Sequence, residues 1–96
     1  MKHCIIAKFK PEVTTIQKEK MYPKILELFE NTRSIEGVHN VELLKNCIDR
    51  SNRYDIMIRI DMEPEALSLY DACEWHHRWK EEYGGLLEKK AIFDYE

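Results

Sequence analysis

Tyr54-Asp55-Ile56-Met57-Ile58-Arg59-Ile60-Asp61-Met62 alternates without a slip. Tyr54, Ile56, Ile58, Ile60 and Met62 fall on one side of an extended chain, and Asp55, Met57, Arg59 and Asp61 on the other. Successive side chains of a strand point to opposite faces, so this is a strand with one face made for a core and one of mixed polarity. Pro64 then stands where a first helical residue is expected, a position that has no use for an N–H.

Upstream, Lys2 to Phe9 alternates in the same way, with His3, Ile5, Ala7 and Phe9 on one face and Cys4, Ile6 and Lys8 on the other. Pro11 closes that strand, and Thr14 and Gln17 have the spacing of a capping box. Tyr22, Ile25, Leu26, Phe29 and Thr32 follow at helical spacing, which predicts a helix to about Arg33 with a kink or a fresh start at Pro23. Gly37 ends that unit, Val38 to about Asn46 reads as another strand, and Ile48 to Arg53 as a polar loop. Downstream of Pro64 a helical stretch is expected to Tyr83, where Gly84-Gly85 breaks it, and Ala91 to Tyr95 reads as a last short strand. The order β-α-β-β-α-β is the ferredoxin-like plan of the α+β class, an antiparallel sheet with helices on one face.

The second helical stretch carries two apolar stripes. Ala66, Leu69, Tyr70 and Cys73 form one, and Ala72, Trp75, His76, Trp79, Tyr83 and Leu86 form the other, rotated from the first by roughly 130° at helical spacing. One straight helix cannot press both on one sheet, so a break is expected near Ala72 to Glu74. The break turns His76 inward and leaves His77 outside with Lys80 and Glu81.

Ninety-six residues make one domain, spanning 1–96. The chain carries 15 Lys+Arg against 18 Asp+Glu, a formal net charge of -3, with 44% apolar and 34% charged residues. A domain near this size buries only about 60 to 70% of the surface its unfolded chain exposes, so apolar surface left over calls for a partner. Without a basic block, nucleic acid is a poor partner. The longest apolar run, Cys4 to Ala7, is too short for a bilayer span or a signal-peptide core. Cys4, Cys47 and Cys73 fit neither a zinc module nor a disulfide framework, and reduced thiols in the cytoplasm are expected.

Chemistry is sought first among the histidines, which titrate near neutral pH. His3 and His76 are expected to point between sheet and helices with Tyr70 beside the break, either as satisfied core residues or as a proton-transfer group acting next to a carbonyl. The walls of that space are expected from Ile5, Ala7, Ile25, Ile56, Ile58 and Trp79. Cys73, His76 and His77 lack the second cluster that a tetrahedral metal site needs, and Asp49, Asn52 and Asp55 lack the glycine and terminal Glu of a calcium loop, so no metal is expected. Trp75, Trp79 and Tyr83 read as core. Neither a phosphate loop nor a serine nucleophile elbow is present, and no cofactor is expected. The opposite sheet face is expected to hold Cys4, Ile6, Leu44, Met57 and Ile92 among Lys8, Glu42, Asp55, Arg59 and Asp94. That is apolar enough for a second copy to pack sheet to sheet.

Taken together, several segments resemble one family. They are Lys2 to Lys10, Gly37-Val38, Tyr54-Asp55, Glu65-Ala66-Leu67 with Tyr70, His76, and Ile92-Phe93-Asp94-Tyr95. Nearly end to end, in order and spacing, they are similar to the stress-responsive A/B barrel (Dabb) domains. The resemblance implies a ferredoxin-like protomer that dimerises through its sheet into a closed α+β barrel. It also implies that His3, Tyr70 and His76 match the pocket histidine, tyrosine and histidine base of plant polyketide cyclases, which close a linear polyketide by aldol condensation without cofactor or metal. The family's His-Pro-x-His stretch reads Cys73-Glu74-Trp75-His76 here; the histidine two residues after the third-strand aromatic is Ile56, and the tyrosine of the first helix is Ile25. The leading expectation is a homodimer binding a small apolar or carbonyl-containing molecule between sheet and helices. The alternatives are a cyclase-like enzyme, a monooxygenase-like enzyme for aromatic substrates, and a dimer without ligand.

Overall fold

The computed structural model describes residues Met1–Glu96. Strand β1 (Lys2–Phe9) leads to helix α1 (Thr15–Glu30), which ends in a 3-10 turn over Asn31–Ser34. Strands β2 (Val38–Lys45) and β3 (Ile56–Met62) follow, then a 3-10 turn at Pro64–Ala66, helices α2 (Leu67–Asp71) and α3 (Glu74–Tyr83), and strand β4 (Leu87–Tyr95). The sheet runs β2-β3-β1-β4 with every neighbour antiparallel, the ferredoxin-like order. No helix is long and apolar enough to cross a membrane.

Local chemistry accounts for most of these elements. The capping box forms: the Gln17 N–H donates to Thr14 Oγ1 at 3.2 Å and the Thr14 N–H to Gln17 Oε1 at 2.8 Å. Tyr22, Ile25, Leu28 and Phe29 bury the inner face of α1, while Leu26 lies half-buried at its edge. Pro23 neither breaks nor restarts this helix. Its ring lies on the exposed side together with Glu19, whose carbonyl it leaves without an N–H partner but open to solvent. Gly37 has φ +92, the one left-handed residue, and a Cβ there would stand 3.1 Å from Ala66 Cβ. Glycine is thus required for both the turn into β2 and the close approach of the Pro64–Ala66 segment.

The break in the second helical stretch falls between Asp71 and Glu74, with Cys73 extended and its sulfur accepting the His76 N–H at 3.4 Å. Both halves then press on the sheet, burying Ala66 and Tyr70 from one and Trp79 from the other. Three residues assigned to the inward stripes face outward instead: Leu69 at 54% exposure, Ala72 and Leu86. Ala72 caps α2 and Leu86 belongs to the 3-10 turn after α3, so helical spacing does not govern their direction. Strand β4 begins at Leu87, four residues earlier than expected. Glu88, Lys89 and Lys90 conceal its start because an edge strand is wet along one side.

Register corrects two assignments on the open face, and hydrogen bonding corrects a third. Ile5 pairs with Ile92 and His3 with Asp94, while Cys4 pairs with Phe93 and Lys2 with Tyr95. Directly opposed residues share a face, so Ile92 and Asp94 belong to the helix side, and Ala91, Phe93 and Tyr95 to the open side. Asp55, also expected on the open face, instead accepts the Phe9 N–H at 2.8 Å and the Lys18 ammonium at 3.1 Å, tying β1 to α1.

Candidate functional site

Three rings meet where β1, α2 and α3 come together. His3 and Tyr70 pack edge to face with centroids 5.2 Å apart, and Tyr70 and His76 lie 4.8 Å apart. The contact depends on the break: the turn at Ala72-Cys73 redirects α3, so that His76, six residues on, comes back over Tyr70. His76 is half-buried, and its Nδ1 lies 2.9 Å from the Asp71 carbonyl oxygen. A carbonyl only accepts, so Nδ1 donates and the neutral ring keeps its free lone pair on Nε2. His3 is buried, with Nδ1 2.5 Å from Asp94 Oδ1 across the β1–β4 pair, so that the carboxylate orients it.

Tyr70 stands between them at 1% exposure. Its hydroxyl is the one buried side-chain polar atom without a hydrogen-bond partner. Burial, with the neighbouring Cys73 and Asp71, pushes this phenol far above its ordinary range, so it remains an O–H donor at every working pH. A base lone pair, a fixed phenol donor and an oriented imidazole can together hold a carbonyl oxygen and move a proton from the carbon beside it.

The expected walls of the pocket come together as well, but as solid core. Ile5, Ala7, Ile25, Ile56, Ile58 and Trp79 are all buried in one apolar cluster. The Trp79 indole fills the space, 5.3 Å from the Phe29 ring and 5.6 Å from that of Tyr83. The five principal cavities lie elsewhere, and His3, Tyr70 and His76 line none of them. Spacing showed that these side chains point inward; whether they enclose space depends on volumes, which spacing does not carry.

Other candidates disperse. The Cys73 sulfur caps α3, and His77 pairs with Glu81 at 3.0 Å on the outer surface, so neither converges on His76. On the open sheet face Ile6 and Met57 are half-buried and Leu44 is exposed, and these three border a groove of about 210 Å³. Cys4 does not join them: at 1% exposure it lies beneath its paired neighbours Arg59 and Phe93. Burial raises the thiol's pKa and leaves it unreactive. In its place stands Phe93, 61% exposed, with the Tyr95 ring 6.2 Å away. Arg59 holds Glu42 at 2.8 Å in the middle of this face. Sequence reasoning missed the roles of Asp94, Phe93 and Tyr95, whose only signal was parity in a register that the sequence does not print.

The family model described as stress responsive A/B barrel domain matches residues 1–96. No curated protein matches the sequence. Solved structures similar to this chain include a dimeric protein of unknown function and ferredoxin-like fold from Bacteroides fragilis, 18% identical, TM-score 0.79, covering 99% of this chain and 93% of that one. An Arabidopsis thaliana protein is 24% identical with TM-score 0.74, covering 99% and 92%. A hydroxynitrile lyase from Passiflora edulis is 12% identical with TM-score 0.71, covering 98% and 89%. At these identities the shared property is the fold.

Proposed function

This chain belongs to the stress-responsive A/B barrel domain family, and from that premise we propose that it works as a homodimeric α+β barrel, joined through the open sheet face, that takes a small carbonyl-bearing molecule at Tyr70. One observation carries the ligand reading: a buried phenol with no acceptor, flanked by two imidazoles. A buried donor left unpaired costs about 1–3 kcal/mol, which a ligand oxygen removes. A ligand would have to enter by displacing the α2–α3 junction, whose Ala72 is exposed and Cys73 half-buried, because the interior beneath is packed. A cyclase-like aldol step, with His76 Nε2 as base and the Tyr70 O–H on the oxyanion, would need a cavity beside His76, and the packed interior leaves none, so the site is proposed for binding alone.

The dimer reading is supported by Phe93, Tyr95, Leu44, Ile6 and Met57, an apolar set around the Arg59–Glu42 pair that a lone domain leaves partly wet. The three unpaired cysteines accord with a reducing compartment such as the cytoplasm. The filled interior favours a second reading, in which the dimer has no ligand. Thermal unfolding of the purified protein against a panel of small carbonyl compounds separates the two. A compound that raises Tm in the parent, and no longer does so in Tyr70→Phe and His76→Ala, supports the site. An equal rise in both variants places binding elsewhere, and no rise with any compound leaves the ligand-free dimer. Sedimentation of a monomer at micromolar concentration overturns the barrel.

A further inference from the structure

We propose a second binding site, for a phosphate-bearing small molecule, in the cleft between the end of β1 and the β2–β3 loop, about 20 Å along β1 from His3. The arginines fall into two sets. Of five, Arg33, Arg59 and Arg78 each hold a carboxylate, that of Glu30, Glu42 and Glu82 respectively. Arg50 and Arg53 hold none, and both line one cleft of about 500 Å³. Lys8, Lys10 and Lys18 also line it, against three carboxylates, Asp49, Asp55 and Glu88. Two of those are already engaged, Glu88 with Lys8 at 3.6 Å and Asp55 with Lys18 at 3.1 Å. Lys10, Arg50 and Arg53 are left facing Asp49 alone, a local positive excess in a chain whose net charge is -3.

The backbone that carries these cations is tied down before any ligand arrives. The Lys8 ammonium donates to the Ser51 carbonyl, fastening the loop to β1. The Arg53 N–H donates to the Arg50 carbonyl at 3.1 Å, and the Lys10 N–H to the Leu86 carbonyl at 2.9 Å. Beside the cleft a second cavity shares Lys18, Asp49, Arg50 and Asp55 and adds Tyr22 and Tyr54, leaving room for the organic part of a phosphate ester. Two guanidiniums and an ammonium suit a dianion better than a monocarboxylate, because each guanidinium fork pairs two phosphate oxygens. This site shares no residue with the Tyr70 cluster.

Pyrophosphate titrated into the full chain tests it, with sodium chloride matched for ionic strength. The expected result is a rise in Tm on the order of 4 °C near saturation. Affinity should fall about tenfold or more in the Arg50→Gln/Arg53→Gln double variant, as two charge-assisted contacts are removed. Arg78→Gln on α3 and Tyr70→Phe should bind like the parent. A shift reproduced by sodium chloride, absent altogether, or undiminished in the double variant overturns the proposal, and none of these results bears on the carbonyl site.

Discussion

The two faces of the one sheet have opposite fates although they are made from the same strands. On the helix side Ile5, Ala7, Ile56, Ile58 and Ile60 vanish under Phe29, Tyr70 and Trp79, and all belong to a single cluster. On the other side Ile6 and Met57 are half-covered, while Leu44, Phe93 and Tyr95 stand exposed around the Arg59–Glu42 pair. Over β1 and β3 the helix side is filled by its own chain, with Ile92 left exposed at the β4 edge; the open side is finished by nothing within it. Stability should therefore reside on the first face and association on the second.

The largest effect that tests this division is Trp79→Ala. Removing a buried indole should cost about 3–5 kcal/mol, read from urea unfolding, and collapse the contact of α3 with Phe29. A loss below about 1 kcal/mol would mean that the helix side is loosely filled after all. Phe93→Asp is the counterpart on the open face. It should change protomer stability by no more than about 0.5 kcal/mol yet weaken self-association tenfold or more in sedimentation, an outcome reversed if Phe93 packs within its own chain.

A smaller effect sharpens the boundary of the covered face. Burial, helped by Asp55 and Glu19, pushes the Tyr22 hydroxyl from 10.0 up to about 12. The folded state thus keeps a proton that the unfolded chain releases, so stability is complete below pH 10 and falls as pH rises from 10 towards 12. Tyr22→Phe should flatten that alkaline slope in chemical unfolding measured from pH 9 to 12; an unchanged slope would show the hydroxyl to be wet.

Much of the fold was legible because its signals are local. The unbroken alternation of Ile56 to Met62, the Thr14–Gln17 box and the two stripes that forced a break before Glu74 each depend on neighbours a few residues apart. The meeting of His3, Tyr70 and His76 was legible for the same reason, since strand parity and a helix break decide it. Pro23 misled, because whether a proline is tolerated depends on which side of the helix is wet.

By itself the sequence determined the element order, the ferredoxin-like class and the inward direction of the three rings, because period and capping are properties of the local chain. Only the tertiary structure decided that Asp94 orients His3, that Phe93 rather than Ile92 stands on the open face, where Cys4 is buried beside it, and that Trp79 fills the space expected as a pocket. Those outcomes rest on strand register and on side-chain volume across distant segments. A shift of one residue in pairing reverses every face assignment on β4, and no spacing along the chain records which shift is taken.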